Sequence, residues 1–164
     1  MNDASCSFSP WVALYVKNRH EKAVALNLDG KGVESFLPTL PNVHASGKRF
    51  DLPLFPGYVF CRLDLHKTLA VASTPGVFSI VSSSGTPAVI SDTEIEGIRR
   101  TVLSGCKIRP WPYMPPGQEV WLKSGPLKGV QGVVVDETHQ KWVVLSVHLL
   151  QRSVAVKVER SQVA

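Results

Sequence analysis

Apolar residues fall along this chain in short runs with two different spacings. Trp11–Val16 (Trp-Val-Ala-Leu-Tyr-Val) is an unbroken apolar run of strand length and predicts a central strand. Beyond it Glu21, Val24, Ala25 and Leu28 recur at helical spacing. Asn18 is placed to cap that helix, with Glu21 three residues on to return the hydrogen bond, and Asp29-Gly30-Lys31-Gly32 stops it. Residues 33–37 predict a short strand, and the polar stretch 38–49 a turn or hairpin tip carrying Lys48 and Arg49. Residues 52–60 (Leu-Pro-Leu-Phe-Pro-Gly-Tyr-Val-Phe) run a Pro-Gly turn directly into the alternating apolar positions of a half-buried strand. Asp64 is placed to cap a second helix with Leu65, Leu69 and Ala72 on its buried face, ended by Pro75-Gly76. Residues 77–82 and 88–90 predict strands. A capping box at residues 91–94 opens a third helix whose Ile95, Ile98 and Val102 face the core. The order β-α-β-β-α-β-β-α predicts an α+β domain with helices packed on an antiparallel or mixed sheet.

The pattern changes at residues 106–116. Four prolines in this stretch predict an extended, semi-rigid spacer, and hence a domain boundary, with Trp111 and Tyr113 free to dock on either side. From residue 117 onward the alternation is purely β. Val120 and Leu122, then Val133 and Val135, then Val143, Leu145 and Val147, then Val154, Val156 and Val158 point inward, with glycine-rich corners at 124–132. Several short strands in so few residues predict a small barrel, which closes its own edges. The expected organisation is a domain over 8–105, a spacer over 106–116 and a β-domain over 117–164.

Composition narrows the classes. The 164 residues are 44% hydrophobic and 19% charged, enough to bury a core. No apolar run approaches the roughly 20 residues that span a bilayer, and residues 1–10 lack the signature of a signal peptide, so a soluble, cytoplasmic protein is expected; a monomer is also expected. Cys6, Cys61 and Cys106 are odd in number and far apart, which favours reduced thiols over a disulfide framework or a zinc site. A net charge of +5 points weakly to nucleic acid or another acidic partner. The five histidines show no metal-ligand spacing, and neither a nucleophile elbow nor a phosphate-binding glycine loop is present. Asp136 and Glu137 are adjacent on a predicted strand and face opposite ways, a poor acid–base pair. No catalytic residue, metal or cofactor is expected.

The aromatic turn carries the sharpest question. Phe55, Tyr58 and Phe60 either fill the core or form a surface, and the residues alone leave the two evenly balanced. Lys17, Arg19, His20 and Lys22 cluster at a predicted helix N-terminus, where the helix dipole also favours an anion; a solvated charged face is the alternative.

Residues 125–133 (Gly-Pro-Leu-Lys-Gly-Val-Gln-Gly-Val), preceded by residues 116–120, resemble a KOW motif, the mark of small SH3-like barrels in ribosomal proteins and transcription elongation factors. Together with Trp11–Val16, residues 53–60, residues 74–77 (Thr-Pro-Gly-Val) and the C-terminal Arg152-Ser153-Val154, that motif makes the chain similar to the NusG family, from about Trp11 to Val163. The resemblance implies an N-terminal NGN-like domain followed by a KOW barrel. It implies a transcription elongation or antitermination factor that binds the clamp helices of RNA polymerase through Tyr15, Phe55, Tyr58 and Phe60 and suppresses pausing or termination. Phe55 and Tyr58 would be the exposed anchors, and Val59 the core residue beneath them.

The stretch Tyr15-Val16-Lys17-Asn18-Arg19-His20 resembles the specialised RfaH and UpxY-type members, which implies contact between Lys17, Arg19, His20 and Lys22 and the non-template DNA strand, with Lys48 and Arg49 adding to it. The KOW domain would recruit Rho or a small-subunit ribosomal protein through Leu150 and Arg152. Gln151 stands where the family usually has glycine, and a core position is the alternative for Leu150. The valine density of the C-terminal segment predicts a constitutive barrel, not the helical hairpin of one specialised relative. The competing class is a KOW-containing RNA- or ribosome-binding module that works without polymerase.

Overall fold

The computed structural model describes residues 8–115 and 117–163; Cys6 and Pro116 lie outside them. In chain order the elements are β1 (Trp11–Val16), α1 (Glu21–Gly30), β2 (Ser35–Phe36), β3 (Thr39–Val43), β4 (Arg49–Pro53), β5 (Tyr58–Arg62), α2 (Thr68–Ala72), β6 (Val77–Ile80), β7 (Ser82–Ser83), β8 (Thr86–Pro87), α3 (Asp92–Leu103), β9 (Ile108–Trp111), β10 (Val120–Trp121), β11 (Gln131–Glu137), β12 (Gln140–Val147) and β13 (Arg152–Val158). The fold is α+β, as the periodicity predicts. The chain divides into two compact units, one of residues through Leu37 with Phe55–Ser91, the other of Pro38–Leu54 with residues from Asp92 onward.

The first unit is a four-stranded sheet in the order β2-β5-β1-β6, with β1 central and antiparallel to both neighbours. One face of β1 and β5 carries Val12, Leu14, Val16, Val59 and Cys61. Val24 and Leu28 of α1 and Val71 of α2 join them in a single core cluster. The helix face expected for α1 is the buried one. Its start is not the expected one: His20, not Asn18, is the N-cap residue and makes no side-chain capping bond, and Glu21, the expected partner of Asn18, instead accepts the Gly57 N–H. Around α2 the expected face is overturned. Leu65 and Leu69 are exposed, and Val71 takes the core position. The cause is local: Asp64 caps a tight 3-10 turn (Leu65–Lys67), and only then does the short helix begin, which rotates its faces.

In the second unit β3 and β4 form a hairpin whose turn holds Lys48. The C-terminal strands make a five-stranded antiparallel sheet in the order β10-β11-β12-β13-β9. Val143, Leu145 and Val147 of β12 and Val154, Val156 and Val158 of β13 are buried, as their alternation predicts. Gly132 of β11 has no room for a side chain, since a Cβ there would lie 2.7 Å from the Val144 carbonyl oxygen. α3 packs on β12, with Ile95 and Ile98 buried and Gly97 bringing the helix against Leu145.

The proline-rich stretch is extended, yet it is not a free spacer. Ile108–Trp111 pairs with β13 as the edge strand of the sheet, where Pro110 costs no central ladder bond. Trp111 and Met114 then cover a second apolar cluster of Trp142, Val144 and Ala155 on the other face of β12 and β13. The Met114 N–H donates to Ser153 Oγ at 3.0 Å and the Met114 carbonyl accepts from Ser146 Oγ at 3.0 Å, fixing the segment. The Arg109 guanidinium lies over both Trp111 and Trp142 and pairs with Glu137.

Candidate interaction site

Three backbone features shape the Pro56-Gly57 turn. Gly57 is left-handed at φ +85°, a conformation that glycine takes without steric cost. The Tyr58 N–H closes the turn on the Phe55 carbonyl at 3.2 Å, and the Gly57 carbonyl accepts the Val16 N–H at 2.9 Å, stitching the turn to the end of β1. The Gly57 N–H in turn donates to Glu21 Oε1 at 3.0 Å, from a glutamate that is only 3% exposed.

That geometry sorts the aromatics. Tyr15 of β1 and Tyr58 of β5 are directly opposite in the ladder, with ring centroids 5.8 Å apart. Tyr15 is 46% exposed and Tyr58 half-buried. Phe55 and Phe60 go the other way. Both are buried, their rings edge to face at 5.8 Å, and Phe60 continues through Phe36 to Trp11 in a chain of ring contacts. Phe55 is therefore not the exposed anchor expected of it; its ring is buried against the edge of Phe60. Val59 is core, as expected. Tyr15 also contacts a ring that the sequence reading passed over, Phe78 of β6, at 5.4 Å. The signal for it is the spacing of Val77 and Ile80, which pack on the same core three residues apart where a regular strand would place them two or four apart.

Lys17, Arg19, His20 and Lys22 are all exposed and lie on one turn and the first residues of α1. The His20 N–H bonds to the Lys17 carbonyl at 3.0 Å with Arg19 left-handed at φ +67°, and the Lys17 N–H bonds to the Gly76 carbonyl at 2.8 Å. This cationic turn thus leaves directly from the end of β1 that carries Tyr15. Lys48 and Arg49 are exposed on the β3–β4 hairpin of the second unit, beside a stacked His44–Phe50 pair with centroids 3.9 Å apart.

On the C-terminal unit Arg152 is exposed, but Leu150 is buried at 8%, so of its two readings the core position holds. Gln151 between them adopts the left-handed conformation (φ 50°, ψ 46°), the backbone a glycine would supply more cheaply. His148 of the same loop donates its N–H to Glu94 Oε1 at 3.3 Å, and its Nδ1 lies 3.3 Å from the Tyr113 hydroxyl. Among the described residues no group of His, Cys, Asp or Glu has a metal-binding arrangement, and no helix is long and apolar enough to cross a membrane. Burial pushes the Cys61 thiol up to about 12.

The first unit thus carries a pair of contacting tyrosine rings beside an exposed cationic turn, and the second a five-stranded antiparallel sheet. Residues 9–99, more than half the chain, match the family model for NusG, transcription termination factor nusG, and the chain belongs to that family. It is similar to the transcription termination/antitermination proteins NusG of Helicobacter pylori strains 26695 and J99. It is 26% identical to the first over 145 residues, covering 84% of this chain and 82% of that protein. With the second it shares 26% identity over 138 residues, 79% of this chain and 78% of the other. A solved structure described as "Domain interaction in Thermotoga maritima NusG" aligns with a TM-score of 0.56 at 24% identity, covering 94% of this chain and 96% of the other, and shows the shared fold. The chain is thus a transcription termination/antitermination factor of the NusG family.

Proposed function

We propose that this factor binds the clamp helices of RNA polymerase through the Tyr15–Tyr58 ring pair and suppresses pausing or termination. The observation that carries the reading is the placement of two tyrosines opposite each other on adjacent strands, with Tyr15 nearly half exposed, while Phe55 and Phe60 are buried edge to face against each other. A coiled-coil tip offers apolar helix edges, and tyrosines offer large area with few rotors to freeze. The exposed Lys17, Arg19, His20 and Lys22 suit the phosphates of the non-template DNA strand, as in the specialised RfaH and UpxY-type relatives, with Lys48 and Arg49 as a second cationic element. Arg152 is the exposed residue of the KOW loop through which a further factor, Rho or a small-subunit ribosomal protein, would be recruited. The action is by binding, in the cytoplasm, and no bond is made or broken.

The test is titration of the full chain against isolated clamp helices. Tyr15→Ala and Tyr58→Ala should each weaken binding about tenfold or more. Parent-like binding by both would refute the assignment. Transcription through a pause site with and without the protein then reads the direction of the effect, since shorter pauses are expected.

A further inference from the structure

Phe78 is 64% exposed on a strand of the central sheet. Its position has a specific backbone cause. In the β1–β6 ladder Tyr15 pairs with Ser79 and Leu14 with Ile80, but Val16 pairs with Val77. One residue of β6 is skipped between consecutive residues of β1, and that residue is Phe78. This is a β-bulge, a device that bends a strand and re-aims one side chain. Its effect shows in the burial. Val77 and Ile80 both reach the core beneath α1 and α2, while Ser79 and Phe78 are both exposed. In an unbulged strand Val77 and Ile80 would face opposite ways, and one of them would leave that core. The bulge keeps both inside and delivers Phe78 against Tyr15, with centroids at 5.4 Å and ring planes at 37°.

We infer that Phe78 is a third direct contact residue of the Tyr15–Tyr58 face, extending it along β6 so that three contiguous rings receive the same apolar helical edge of the polymerase clamp. The inference rests on the reading of that face given above. Continuity selects the occupant: Tyr15 touches both neighbours, so a partner seated on Tyr15 and Tyr58 meets Phe78 without a gap. The chemistry agrees. Phe78 adds apolar area with no hydroxyl to satisfy, which suits leucine or isoleucine side chains. A nucleic-acid strand, whose bases would stack on the ring while its phosphates met Lys17 and Arg19, is the competing occupant.

The experiment compares Phe78→Ala, Phe78→Leu, Tyr15→Ala and Tyr58→Ala in the full chain. Each is titrated against isolated clamp helices and, separately, against a fluorescent single-stranded oligonucleotide. The expected result is about tenfold weaker clamp-helix binding for Phe78→Ala, a smaller loss for Phe78→Leu, and unchanged oligonucleotide affinity. Far-UV circular dichroism and urea midpoints unchanged from the parent keep the loss from being one of folding. If the tyrosine variants lose clamp-helix binding and Phe78→Ala does not, the role of Phe78 is overturned while the tyrosine site stands. If Phe78→Ala loses only oligonucleotide binding, the ring serves nucleic acid and the inference is overturned. If no variant loses clamp-helix affinity, the shared site fails and this inference fails with it.

Discussion

Glu21 Oε1, at the first position of α1, accepts the backbone N–H of Gly57 at 3.0 Å inside the first unit. One buried carboxylate therefore ties the helix start to the turn that positions Tyr58. With His20 as the N-cap residue, Glu21 stands at the first helical position and not at the third, where a capping box would need it. Glu21→Ala takes the partner from a part-buried backbone donor, at a cost of about 1 kcal/mol. Glu21→Gln keeps a carbonyl acceptor and should lose less. Hydrogen exchange at Gly57 and Tyr58 is the measurement, and exchange in Glu21→Ala as slow as in the parent would disprove the tie.

Stability and binding should separate across the aromatic turn. Phe55→Ala and Phe60→Ala empty core positions and are expected to cost about 3–5 kcal/mol in urea unfolding. Tyr58→Ala removes a half-buried ring and should cost far less while weakening clamp-helix binding more. The prediction fails if Phe55→Ala proves as stable as the parent.

Cys61 titrates against the fold. Its thiol is pushed up by burial from an ordinary value of 9.0 to about 12. The neutral thiol's contribution to stability is fully present below pH 9.0 and is lost as pH rises from there toward about 12. Cys61→Ala should flatten that part of the alkaline stability profile. In native protein at pH 8, alkylation mapped by mass spectrometry should modify the half-buried Cys106 well before Cys61. Equal rates would contradict the burial.

Gly132 and Gly30 make a contrasting pair. A Cβ at Gly132 meets Val143 Cγ1 at 2.5 Å and the Val144 carbonyl oxygen at 2.7 Å, whereas at Gly30 it meets nothing within 4 Å. Gly132→Ala should cost about 1–3 kcal/mol by overpacking, and Gly30→Ala should be neutral or slightly stabilising. Thermal midpoints of the two variants decide it.

Much of the architecture was legible where one period dominates. The apolar run of β1, the 3.6-residue stripe of α1 and the valine alternation of β12 and β13 each have a single packing solution. The failures lie where a short irregularity shifts a register. A 3-10 turn of three residues turned Leu65 and Leu69 outward, and one skipped residue in β6 brought Phe78 out beside Tyr15. Phe55, which the family resemblance implies is exposed and the residues alone leave balanced between core and surface, is buried against the edge of Phe60. The pairing of Glu21 with Gly57 spans 36 residues and leaves no local trace. Within the proline-rich stretch Ile108–Trp111 is a strand, and an extended strand and an extended spacer have the same composition.

That last ambiguity has a practical consequence for anyone dividing this polypeptide. A C-terminal piece cut at Gly117 would lack β9, leaving the outer edge of β13 without its hydrogen-bonding neighbour and baring Trp142, Val144 and Ala155 where Trp111 and Met114 now lie. An unpaired edge beside bared tryptophan and valine invites self-association. A piece begun ahead of Ile108 brings its own guard strand and keeps that edge paired and that face covered.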